Sequence, residues 1–117
     1  MINHVVLIKF KPGVSDRDID ALEKSLDDLP NRIVEIQTYE FGRDLLHAAS
    51  SYDFALVALF ANLEAVRRYQ EHSAYLKVLQ TITRLCEDIL TFDFEGTDAG
   101  KIKKDEEGAM LNRLGRI

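Results

Sequence analysis

A single cysteine, Cys86, leaves this chain without a partner for an intrachain disulfide and without the thiolates of a metal cluster. Cys86 stands at helical spacing from Ile82 and near Ile89, which reads as a core thiol rather than a reactive one. The three histidines, His4, His47 and His72, are scattered without ligand spacing, so no metal site is expected. No apolar run approaches the roughly 20 residues that cross a bilayer. Met1 leads directly into strand-like sequence, with no room for a cleaved signal, and the expectation is a cytoplasmic protein. A basic excess is missing too: 15 Lys/Arg against 20 Asp/Glu give a net charge of −5. Residues 1–95 hold ten cationic and sixteen acidic side chains, residues 96–117 five and four. The folded part therefore has no basic face to offer a phosphate backbone, which argues against nucleic acid and anionic membranes as partners. The 42–50 segment, G-R-D-L-L-H-A-A-S, reads as a loop, with His47 exposed in it and no glycines to cradle a phosphate. Nothing positions a haem ligand, and no cofactor is expected.

What is present is ordered around Ser51–Tyr75. Phe54, Leu56, Ala58 and Phe60 alternate with Ala55, Val57 and Leu59, so both faces of this strand are apolar and both must be covered. Asn62 then caps a helix with Val66, Tyr69, His72, Ser73 and Leu76 on roughly one stripe. The spacing predicts a bend or restart near His72-Ser73, then a helical segment over 75–87 carrying Leu76, Leu79, Ile82 and Leu85. Before this unit comes a first strand over 2–10, with His4, Val6, Ile8 and Phe10 on one face and Val5 and Leu7 on the other. Ser15 and Asp18 form a capping-box pattern that opens an amphipathic helix through Ile19, Leu22, Leu26 and Leu29, ended near Pro30. The acids on its other face read as a solvated surface. A more polar strand over 33–41 suits a sheet edge, and I-L-T-F-D-F-E over 89–95 closes the pattern, with Leu90, Phe92 and Phe94 facing one way.

The order β-α-β-β-α-β predicts an α+β, ferredoxin-like domain over 1–95: a four-stranded antiparallel sheet with its helices on one face. In a lone domain of this kind the other face meets water. Here that face carries more apolar side chains than a monomer usually exposes, so a homodimer joined through the sheets is expected. Residues 96–117 lose periodicity and gain glycine and a K-I-K-K-D-E-E run. They read as a flexible tail or, with Met110, Leu111 and Leu114, as a docking arm.

Four stretches resemble the stress-responsive dimeric α/β-barrel family. They are His4–Phe10 followed by Lys11-Pro12, Ser51–Phe60, the Tyr69/His72/Tyr75 helix turn, and the closing Asp88–Phe94 strand. The resemblance covers roughly 1–95 and implies a dimer whose sheets form a shared barrel, with a pocket in each subunit between helices and sheet. The family includes stress proteins without known chemistry and, more distantly similar, a plant polyketide (olivetolic acid) cyclase. The cyclase tyrosine falls on Tyr69 and a pocket histidine on His4. The cyclase base falls on Tyr75, and a tyrosine, with an unperturbed pKa near 10, is a poor base at neutral pH.

The candidate site is therefore His4, Tyr69 and His72 as catalytic groups, with Val6, Ile8 and Tyr75 completing a ligand-binding wall. Three functions follow: a small-ligand-binding dimer, a cofactor-free cyclase, lyase or isomerase acting on a hydrophobic carbonyl compound, or a dimeric-barrel monooxygenase. Each residue also has a plainer role. His4 suits a hydrogen-bonded core histidine, Tyr69 core packing and His72 local backbone bonding at the helix break. Convergence of the strand and helix is what raises them.

Overall fold

A computed structural model describes residues 1–97. Chain order is β1 (Ile2–Phe10), α1 (Asp16–Arg32), β2 (Thr38–Arg43), β3 (Phe54–Phe60), α2 (Leu63–Glu71), α3 (Ser73–Leu85) and β4 (Cys86–Glu95). The four strands form one antiparallel sheet in the order β2-β3-β1-β4. The two doubly apolar strands thus lie at the centre, and β2 lies at an edge. This is the ferredoxin-like arrangement expected from the order of elements.

Alternation along β1 and β3 sorts the side chains. His4, Val6 and Ile8 are buried with Phe54, Leu56, Ala58 and Phe60, against Leu22, Leu26 and Leu29 of α1, Val66 and Tyr69 of α2, and Val78, Ile82 and Leu85 of α3. On the other face Val5 pairs with Val57 and Phe92, and Leu7 with Ala55 and Leu90. Val57, Leu90, Phe92 and Phe94 are exposed there. One sheet face is covered by helices and the opposite one is an open apolar surface.

Ser15 caps α1 as its pattern predicts, in a reciprocal capping box with Asp18. The helix passes Pro30 and ends two residues later, where the Ile33 N–H closes it on the Leu29 carbonyl at 2.9 Å. That end consumes Ile33, and the Ile36 N–H then turns back to the Ile33 carbonyl. The second strand therefore starts at Thr38, not Ile33, and runs on to Arg43. Arg43 reaches Asp20 at 2.6 Å and Glu23 at 3.0 Å on α1, which fixes the strand's end where a loop was expected. His47 lies exposed in the following loop with a left-handed φ of 51°, its N–H donating to the Asp44 carboxylate at 2.7 Å.

The helix break falls at His72, as the sequence indicates, but α3 restarts there at once instead of at Tyr75. The new start resets the buried face. Val78, Ile82 and Leu85 turn inward, while Leu76, expected in the stripe, is 44% exposed. Cys86 ends α3 as its C-cap and opens β4, so the last strand begins three residues before Ile89. The thiol is half-buried at this junction rather than within the core. The predicted tail, 96–117, lies outside the described residues from position 98 on.

Candidate functional site

The register of β1 against β4 sets His4 opposite Asp93, and against β3 it sets His4 opposite Ala58. Both neighbours lie on the helix-covered side of the sheet. Only 1% of His4 is exposed, yet it is a polar residue in an apolar layer. Its Nδ1 lies 2.5 Å from Asp93 Oδ1, and the Asp93 side chain is itself about one-third exposed. The carboxylate is an acceptor, so Nδ1 carries the shared proton; in the neutral ring Nε2 then presents a lone pair. That nitrogen is buried and, among the described residues, has no hydrogen-bond partner. Buried polar atoms are overwhelmingly paired, so one left unpaired calls for an explanation.

Aromatic rings surround the imidazole. Phe60 at the end of β3 and Tyr69 on α2 meet it edge to face, with ring centres 6.3 and 6.1 Å away. Tyr69 is fully buried, 5.0 Å from Phe60 and 4.5 Å from Tyr75 on the first turn of α3. From the edge strand β2, Tyr39 brings its hydroxyl to 2.6 Å from the Tyr69 hydroxyl. Loss of hydration raises all three phenol pKa values above their ordinary range, because a buried phenolate has neither water nor a cation to stabilise it. These hydroxyls remain neutral hydrogen-bonding groups at physiological pH.

Among the six residues expected at the site, His4, Tyr69 and Tyr75 come together in this ring cluster. Val6 and Ile8 lie in the same buried layer of β1, farther along it. His72 has another task. Its Nδ1 accepts the Ala74 N–H at 3.0 Å, capping α3, and its side chain lines a separate cleft of about 530 Å³ between α1 and α3 with Asp28, Arg32 and Lys77. Two members of the cluster escaped the sequence reading. Tyr39 sits at an alternating position of a strand judged by its polarity, and Asp93 stood among the polar residues of β4, where nothing local announced a partner 89 positions away. Among the described residues no group of three or more His, Cys, Asp or Glu is placed to hold a metal ion, and no helix is long and apolar enough to cross a membrane.

The family model described as Stress responsive A/B Barrel Domain matches residues 2–96. A curated relative from Arabidopsis thaliana, the stress-response A/B barrel domain-containing protein HS1, is 29% identical over 100 residues, spanning 82% of this chain and 90% of that one. A dimeric ferredoxin-like protein of unknown function from Thermobifida fusca is 32% identical, with a TM-score of 0.76 over 81% of this chain and 90% of its own. The hydroxynitrile lyase of Passiflora edulis superposes with a TM-score of 0.75 at 19% identity, covering 84% of this chain and 94% of the lyase; at that identity the likeness concerns the fold.

Proposed function

The chain belongs to the stress-responsive A/B barrel domain family, and from that premise we propose that it works as a homodimer whose subunits each bind a small, largely apolar molecule at the His4 cluster. The observation that carries the site is the Nε2 of His4, unpartnered among the described residues, in a ring that packs against Phe60 and Tyr69, with Tyr75 in turn against Tyr69. A histidine serving only the core would gain by pairing both nitrogens. Here one is paired and the other is kept bare in a layer of aromatic rings, the composition of a small-molecule site with few polar groups. The dimer reading is supported by the open apolar sheet face, and the Thermobifida fusca relative is itself described as dimeric. Residues 1–95 would form the working domain, with 96–117 a tail to it.

Tyr69 and His4 are closed to solvent, so a ligand reaches Nε2 only when part of the helix wall moves. The break at His72, three residues from both Tyr69 and Tyr75, divides that wall. The test is a titration of isotope-labelled protein with small aryl compounds. Saturable shifts of His4, Tyr69 and Tyr75 signals together are expected. Shifts confined to the surface, or centred on the α1–α3 cleft beside His72, would sink the assignment.

A second reading, cofactor-free proton transfer on a small carbonyl compound, is favoured by one further feature. Asp93 fixes Nδ1 as the protonated nitrogen, which leaves Nε2 as the basic one and stabilises the imidazolium formed when it takes a proton. Deuterium uptake beside the carbonyl of aryl alkyl ketones, abolished by His4→Gln, is the expected sign. Uptake unchanged by that substitution would refute it.

A further inference from the structure

We infer that the His4 cluster selects a ligand bearing a hydroxyl group beside a carbonyl, in preference to a plain ketone or a hydrocarbon of the same shape. This rests on the small-ligand reading of the same site and names the class of molecule it takes. Tyr39 and Tyr69 meet hydroxyl to hydroxyl at 2.6 Å, and among the described residues this is the hydrogen bond each phenol makes. Two hydroxyls carry two protons, and one contact uses one of them. Among the described residues the other meets no acceptor, whichever phenol donates.

When Tyr39 donates, the surplus proton is that of Tyr69, whose ring lies 6.1 Å from the ring of His4, and the His4 Nε2 is a surplus acceptor. Asp93 holds the His4 proton on Nδ1, so Nε2 asks for a donor and not an acceptor. Burial keeps both phenols protonated, so the surplus proton persists across the physiological range. A carbonyl alone satisfies the phenol and leaves Nε2 bare. A hydrocarbon satisfies neither. An adjacent hydroxyl and carbonyl satisfy both, and buried polar groups left unpaired are the strongest source of discrimination between ligands of equal shape.

The experiment measures affinities of the full chain for α-hydroxyacetophenone, acetophenone and ethylbenzene by titration, following the His4 ring nitrogens. The expected order is hydroxyketone, ketone, hydrocarbon, each step about tenfold, as one satisfied buried group implies. His4→Leu is expected to erase the first step, and the double variant Tyr39→Phe/Tyr69→Phe the second. Equal binding of all three compounds by the parent protein would overturn the hydroxyl inference and leave an undiscriminating apolar site. Binding of none would overturn the small-ligand reading and this inference with it.

Discussion

A buried imidazole bonded to a carboxylate is stable only while both partners are present, and the contact between His4 and Asp93 can be examined on that basis. Asp93→Ala leaves an Nδ1 proton in an apolar layer without an acceptor, an unmade bond that costs about 1–3 kcal/mol. His4→Leu/Asp93→Ala removes both polar partners and is expected to recover most of that loss in a urea melt. A double variant as weak as the single one would mean that Asp93 acts through something other than His4. The phenols give a second test, with a defined sign. All four tyrosines, Tyr39, Tyr52, Tyr69 and Tyr75, have raised pKa values; Tyr52 is raised chiefly by donating its hydroxyl to Asp88 at 2.6 Å. The unfolded chain ionises near pH 10 while the folded one holds its protons, so the folded state binds more protons and stability falls as pH rises beyond about 10. Phenolate absorbance is therefore expected to appear together with loss of the far-ultraviolet circular dichroism signal. Tyr39, Tyr69 or Tyr75 titrating at pH 10 in a still-folded protein would contradict the burial of the cluster. His4 and Tyr69 were legible in the sequence because parity on a strand and spacing on a helix announce an inward face, whereas Tyr75 entered through the resemblance of the helix turn to the family. Asp93 and Tyr39 were not, because their roles depend on which strands pair and in what register, a property of the assembled sheet.

Elements announce themselves by their ends, and here the starts of α1 and α2 were clearer than those of β2 and β4. Ser15 with Asp18, and Asn62 with its oxygen 2.9 Å from the Ala65 nitrogen, mark helix starts through contacts three residues away. Such contacts are written in the sequence itself. The late start of β2 and the early start of β4 depend instead on tertiary contacts. Ile33 is drawn into the core as the cap of α1, and the Gln37 N–H is held by the Leu59 carbonyl at 2.9 Å. At the other junction the Lys11 N–H bonds the Leu85 carbonyl at 2.8 Å, which fixes the end of α3 beside β1 and leaves Cys86 to begin the strand. The cap of α1 gives an element-scale expectation. Ser15→Ala removes the acceptor for the Asp18 N–H, a loss typically worth about 1 kcal/mol, and lowers Tm by roughly 4–8 °C for a domain of this size. Ser15→Asp keeps an acceptor and is expected to retain most of the stability. If alanine and aspartate behave alike in thermal melts, the cap is not what holds that end.

At the scale of the whole molecule the sheet has one covered face and one that still needs a cover. Every residue of β4 after Cys86 is exposed in the single chain, including Leu90, Phe92 and Phe94 on the open side. Val5, Leu7 and Leu59 lie half-buried beside them, and Val57 stands near the middle of the patch. A contiguous apolar surface on this scale marks an interface. The residues beyond Thr97 and a second copy of the chain are different ways to cover it, and they predict different behaviour. If a second copy does so, a chain ending at Thr97 keeps its Tm within a few degrees and still sediments at twice its own mass at micromolar concentration. If the residues beyond Thr97 do so, truncation costs both stability and solubility. Substitution in the patch then decides where the copies meet. Val57→Asp places a carboxylate opposite the partner's apolar face, and an unpaired buried charge is costly enough to split the dimer or unfold it. Leu76→Asp, on the exposed side of α3, serves as the control and is expected to sediment like the parent. A Val57→Asp protein that remained a folded dimer would place the interface elsewhere and leave the open face of the sheet to another partner.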